Sequence, residues 1–215
     1  MLKTKIKASG IANLTDARYF AAREVEWLGF RLGDGSDGTI SLLAAKAIAE
    51  WVDGVKIIGE FDFASAAEIL AANEQLHFDA VQVGMFTSVP EMEKLAGLTI
   101  IKEIVVEKNA SSAALSLQLN EHAAYCDYFL LDFSKSGIQW SDLKMDASFD
   151  LDGLRPLFEA HKIILALDFE ATETQEVLEK LAPFALSIGG GVEEKIGLKS
   201  FEALDEILDQ LELTV

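Results

Sequence analysis

One cysteine, Cys126, in 215 residues leaves no partner for an internal disulfide and too few thiols for a cysteine-rich zinc site. Histidine and proline are also few, with three of each. No apolar run reaches the roughly 18–20 residues that a membrane span needs. The opening segment MLKTKIKASG carries charge but no apolar stretch, so neither a signal peptide nor a membrane partner is expected. Basic residues are outnumbered 18 to 36, a net charge of −18, and such a surface repels nucleic acid and anionic membrane. What is present is apolar substance. Half the residues are hydrophobic and the mean hydropathy is +0.22, enough for a full core and too much for disorder. A cytoplasmic protein is expected. The acidity serves solubility and does not exclude an anionic small ligand, because free N–H groups at a helix start can hold a phosphate locally.

Short apolar runs alternate with longer amphipathic stretches. The pattern predicts strands at Thr4–Ser9, Trp27–Arg31, Val55–Phe61, Ala80–Val83, Thr99–Val106, Tyr128–Asp132, Ile163–Asp168 and Ala185–Ile188. Helices are predicted between them at Thr15–Arg23, Ser41–Trp51, Ala64–Asn73, Pro90–Ala96, Ser111–Ala123, Leu151–Ala160, Thr172–Leu181 and Ser200–Leu211. In the last, Phe201, Leu204, Ile207, Leu208 and Leu211 recur at helical spacing. Thr15-Asp16, Ser41, Ser111-Ser112 and Thr172 are the candidate caps. Eight strand-then-helix units without a Pro/Gly/Ser-rich linker point to one α/β domain over residues 1–215, a (β/α)8 TIM barrel with short loops. An open doubly wound sheet is the runner-up, but the first turn lacks G-x-G-x-x-G.

In a (β/α)8 barrel the chemistry sits at the carboxyl ends of the strands. Those ends carry Ser9, Arg31, Glu60, Gly84, Glu107, Asp132, Asp168 and Gly189-Gly190-Gly191. His77, His161 and Cys126 fall just before strands, at the opposite mouth, and His122 closes a helix, which disfavours Ser-His-Asp chemistry and a histidine metal site. Three constellations remain. Lys7 and Ser9 are two apart on one strand and share a face. Asp132 ends an apolar strand, where desolvation favours a general acid; it can also simply cap the loop Ser134–Gly137. Gly189, Gly190 and Gly191 allow close backbone approach to a phosphate ahead of a short helical turn. Glu60 can instead pair with Lys56, and Asp168 can cap the helix near Thr172.

Over essentially the whole chain these residues resemble the phosphoribosylanthranilate isomerase family. That family opens K-I-C-G-I-T, then N-x-x-D-A; here stand Lys7-Ala8-Ser9-Gly10-Ile11-Ala12, then Asn13-Leu14-Thr15-Asp16-Ala17. Leu28-Gly29-Phe30, Val81-Gln82-Val83-Gly84, Ile101-Lys102, Leu130-Leu131-Asp132 and Gly189-Gly190-Gly191-Val192-Glu193 match later strands in order. The resemblance implies a cofactor-free and metal-free Amadori rearrangement of an aminoaldose phosphate, in a monomer or homodimer. It implies Asp132 as general acid, Ser9 at the position of the family's general base, Lys7 in support, the three glycines on the phosphate, and Arg31 and Gln82 as substrate contacts.

The departures lie in the working parts. The family's base is a cysteine, and a serine hydroxyl ionises several units higher. Gly38 replaces the arginine that holds the anthranilate carboxylate, Leu167-Asp168 replaces a phosphate-binding glycine pair, and Gly84 replaces a histidine. Besides a weakened or altered isomerase, two alternatives arise. One is a degenerate homologue that binds a phosphorylated ligand or partner. The other is a different barrel enzyme in which Glu60, Asp132 and Asp168 hold Mg²⁺.

Overall fold

Residues of alternating character at the strand positions force one face toward a barrel interior and the other toward a helical shell. The computed structural model describes residues 2–33, 38–145, 151–189, 192–195 and 198–212. Eight parallel strands close in sequence order: β1 (Lys5–Ser9), β2 (Trp27–Arg31), β3 (Lys56–Phe61), β4 (Ala80–Val83), β5 (Ile100–Val105), β6 (Tyr128–Asp132), β7 (Ile163–Ala166) and β8 (Ala185–Gly189). β8 returns to β1 with Lys7 beside Ser187 and Ser9 beside Gly189, which completes the ring. The expected (β/α)8 barrel is therefore present, with β7 ending two residues before the predicted Asp168.

The connecting helices are α1 (Leu14–Ala22), α2 (Leu42–Ala49), α3 (Ala66–Leu76), α4 (Val89–Glu93), α5 (Ser112–His122), α7 (Leu151–Ala160), α8 (Thr174–Leu181) and α9 (Glu202–Leu211), with the short α6 (Trp140–Met145) before α7. Their starts reflect local chemistry. Asn13 accepts the Asp16 N–H at 2.9 Å, Ser41 and Ser111 accept N–H groups of the next turn, and Ser65 with Glu68 forms a reciprocal capping box. Asn13, not Thr15-Asp16, thus caps α1. Thr172 lies inside a 3-10 turn (Ala171–Glu173) whose start is capped by Glu170 and Glu173.

Two features depart from the sequence pattern. The segment after β6 folds into a 3-10 turn (Ser134–Ser136) and then α6, because Trp140 is fully buried and its indole N–H donates to Glu176 at 3.1 Å. Residues after β8 form not a helical turn but an antiparallel hairpin, β9 (Val192–Lys195) with β10 (Leu198–Ser200). Gly190 and Gly191 lie outside the described residues.

Between strands and helices packs an apolar shell that includes Ile6, Phe20, Leu28, Phe30, Phe129, Leu131 and Leu208. A second, smaller core fills the lower barrel with Trp27, Ile58, Ala80, Ile101, Leu130, Ile164 and Ala185. At the amino-terminal mouth Trp27, Tyr128 and Phe184 form an aromatic floor, and Lys5, Lys56 and Lys162 lie over its rings at 4.7–5.9 Å. This floor seals one end and leaves the carboxyl-end mouth open.

Candidate active site

The same alternation that buries Ile58, Ile101 and Leu130 places the next inward residue of each strand one storey higher. There the residues are polar: Ser9 on β1, Arg31 on β2, Glu60 on β3, Gln82 on β4, Glu103 on β5, Asp132 on β6 and Ser187 on β8. They line a cavity of about 530 Å³ at the carboxyl ends of the strands, with Asp168, Gly189, Leu204 and Ile207 completing its rim. The structure thus brings together Ser9, Arg31, Gln82, Asp132 and Gly189 from the sequence reading. Lys7 stands directly behind Ser9, fully buried and outside the lining.

One wall is built on Lys7. Its ammonium donates to the Ser9 hydroxyl at 2.6 Å and pairs with the Glu60 carboxylate. The Ser9 and Ser187 hydroxyls lie 2.7 Å apart, and the second Glu60 oxygen accepts the Gly10 N–H at 3.1 Å. Room for this carboxylate comes from Gly29, where a Cβ atom would lie 2.0 Å from Glu60 Oε1. Glu60 is therefore not the partner of Lys56, which pairs with Glu26 instead. The sequence signal for the Lys7–Glu60 pair was a charged residue at an inward strand position with a mid-strand glycine across the sheet.

The facing wall is built on Lys135. Its main-chain N–H donates to Asp132 Oδ1 at 2.8 Å, and its ammonium donates to Glu103 Oε1 at 2.6 Å. Asp132 thus caps its loop and faces the cavity at once; the two readings of it are compatible. Burial pushes the Asp132 carboxyl above the ordinary aspartate value, against the Lys135 N–H and charge, which act to lower it. Burial likewise raises Glu103, opposed by its bond to Lys135. Glu103 escaped the sequence reading because Lys102 and Glu103 are adjacent and nothing local says which of the two points inward, while for Lys135 the sequence left open whether it reaches the ligand.

Lys102 points outward, into a ring of carbonyls: Gly84 at 2.8 Å, Thr87 at 2.9 Å and Met85 at 3.0 Å. It shapes the turn after β4 and lies outside the cavity lining. Gly84 is required there, since a Cβ would lie 2.2 Å from the Asp62 carbonyl oxygen. Gln82 is buried with its Oε1 unpartnered, an acceptor on the cavity wall that awaits a donor. Asp168 does not cap a helix; it accepts from the Ser134 hydroxyl at 3.1 Å. Among the described residues no three His, Cys, Asp or Glu side chains are placed to hold a metal ion. Cys126 is half-buried below the sheet, its thiol pushed up to about 12 by burial, and His161 packs edge-on against Phe129. Neither approaches the cavity lining.

The whole architecture has close counterparts. A protein from Halorhodospira halophila named N-(5'-phosphoribosyl)anthranilate isomerase is 26% identical over 98% of each chain. The crystal structure of phosphoribosyl anthranilate isomerase from Thermus thermophilus matches with a TM-score of 0.76 at 28% identity, covering 97% of this chain and 98% of that one. A further barrel, at 21% identity and TM-score 0.76 over 97% and 98% of the two chains, was solved with reduced 1-(o-carboxyphenylamino)-1-deoxyribulose 5-phosphate. The model of the N-(5'-phosphoribosyl)anthranilate isomerase family matches residues 6–210, and the chain belongs to that family.

Proposed function

We propose that this protein rearranges N-(5-phosphoribosyl)anthranilate to the corresponding aminoketose phosphate. The observation that carries the reading is Asp132: a buried carboxyl at the end of β6, raised above its ordinary value and held at the cavity wall by the Lys135 N–H. A carboxyl that burial makes hold its proton more tightly is suited to deliver that proton to the furanose ring oxygen. The nitrogen lone pair then expels that oxygen from C1, which leaves an open-chain iminium. Loss of the C2 proton gives an enolamine, and protonation at C1 gives the ketone. The redox change is internal to the sugar, so the reaction consumes no external oxidant or reductant.

The other wall residues fit substrate groups. Gln82 Oε1 accepts from the anthranilate N–H or a sugar hydroxyl, which supplies its missing donor. Arg31 faces the substrate carboxylate across the rim. Gly189 at the cavity rim takes the phosphate; Asp168 lines the same rim and accepts from the Ser134 hydroxyl. Ser9 occupies the base position, but its oxygen already accepts from an ammonium. A hydroxyl in that state orients the ligand and does not take a carbon-bound proton.

The test is the fluorescence loss of freshly made N-(5-phosphoribosyl)anthranilate on addition of purified protein. Enzyme-dependent loss that Asp132→Asn slows by about 10²–10⁴-fold supports the reading. Equal rates with and without protein at high concentration refute it.

A further inference from the structure

The reaction needs a proton acceptor at C2, and on the wall facing Asp132 the geometry narrows the choice. Three groups surround one another there: Ser9, Lys7 and Glu60. Lys7 is fully buried and does not line the cavity, and its ammonium is already a donor to both neighbours. Ser9 accepts that donation and is close to Ser187, so its proton has no basic destination. Glu60 lines the cavity and is a carboxylate with about four acceptor positions, of which Lys7 and Gly10 occupy two. It stands on β3, three strands from Asp132 on β6, so that a ligand between them has an acid on one side and a carboxylate on the other. The chain sets aside volume for this carboxylate at Gly29.

Resting on the isomerase reading above, we propose that Glu60 is the general base for the C2 proton. The step balances within the site. The C2–H bond breaks, its proton goes to a Glu60 oxygen, its electron pair becomes the C1–C2 double bond, and the iminium π pair moves onto nitrogen. Glu60 then returns the proton to C1 while the Asp132 carboxylate, which gave its own proton to the ring oxygen, takes the C2 hydroxyl proton. Both groups end as they began. Lys7 and Gly10 act as positioning residues that hold the carboxylate against the wall.

The experiment compares Glu60→Gln, Glu60→Asp and Ser9→Ala in turnover of N-(5-phosphoribosyl)anthranilate and in affinity for reduced 1-(o-carboxyphenylamino)-1-deoxyribulose 5-phosphate, which needs no base to bind. The expected result is a fall in kcat of about 10²–10⁴-fold in Glu60→Gln with affinity for the analogue within about threefold of wild type. Ser9→Ala should lose less than about tenfold in kcat. Glu60→Asp keeps the charge opposite Lys7 and withdraws the carboxylate by about 1.5 Å, so it decides the matter if the glutamine variant does not fold. A folded Glu60→Asp with a large kcat loss and intact analogue binding supports the assignment. Wild-type kcat in either Glu60 variant, a Ser9→Ala loss as large as that of Glu60→Gln, or loss of analogue binding in step with activity overturns it. An inactive wild-type protein is a different failure: it removes the isomerase reading itself, and the base with it.

Discussion

The Lys7 ammonium and the Ser9 hydroxyl oxygen lie 2.6 Å apart, and the same ammonium pairs with Glu60. A serine at this position is thereby committed as an acceptor, and the buried positive charge is matched by a carboxylate that also faces the ligand cavity. The Ser9 hydroxyl and the Glu60 carboxylate are held by the same buried ammonium.

Removing space at Gly29 should break this arrangement without touching either charge. The Cβ of Gly29→Ala meets Glu60 Oε1 at 2.0 Å and forces the carboxylate away from Lys7. Deleting one partner of a buried pair costs about 3–5 kcal/mol, and displacing one while both charges remain costs less. Chemical denaturation should show a loss below that figure, and turnover should fall with it. A variant as stable as wild type contradicts the role given to the glycine.

Asp132 predicts the alkaline limb of the pH profile. The acid must be protonated to act, so kcat/KM falls as pH rises through its ionisation, and burial places that ionisation above the ordinary value of about 3.9. Asp132→Asn should cost about 10²–10⁴-fold and remove the limb from what activity remains. A limb that persists unchanged in the variant assigns it to another group.

Lys102 is a structural prediction. Its three hydrogens satisfy three carbonyls of the turn after β4. Lys102→Met strands them, at about 1–3 kcal/mol for a buried group left unpaired. Thermal unfolding should report the loss, and hydrogen exchange should rise at residues 84–87 before it does elsewhere.

The barrel's helical ring is fastened where α1 meets α9. The Tyr19 hydroxyl donates to Asp205 at 2.7 Å, Arg23 pairs with Asp205, Asp209 and Glu212, and the Tyr19 and Phe201 rings stack at 4.1 Å. Burial first, and the bond to Asp205 next, push the Tyr19 phenol up to about 12. A raised folded value stabilises the protein below the unfolded value of about 10 and loses that contribution as pH climbs toward about 12. Ultraviolet titration should find Tyr19 ionising late, and Asp205→Asn should bring it down.

The strands were legible because an apolar strand buried on both sides has a plain signature: Phe129-Leu130-Leu131 and Ile163–Leu165 admit few other readings. β2, β4 and β6 fall at their predicted bounds. Asp132 and Ser9 were legible as cavity-facing positions too, because a polar residue at the end of such a strand has one mouth to face, whereas Gln82 was named only through the family resemblance. The pairings that escaped depend on partners far along the chain. Glu60 meets Lys7 across 53 residues, and Glu103 meets Lys135 across 32, distances over which local pattern carries no information. The hairpin β9–β10 escaped for a different reason: a glycine run permits a turn without choosing between a helix and a strand after it.

The most direct test is to identify the product formed by wild-type protein from N-(5-phosphoribosyl)anthranilate by nuclear magnetic resonance. The expected product is the aminoketose phosphate, with a ketone at C2 and a new C–H bond at C1, formed in proportion to enzyme and about 10²–10⁴-fold more slowly by Asp132→Asn. Recovery of the aminoaldose and its hydrolysis products alone, at any enzyme concentration, contradicts the isomerase assignment.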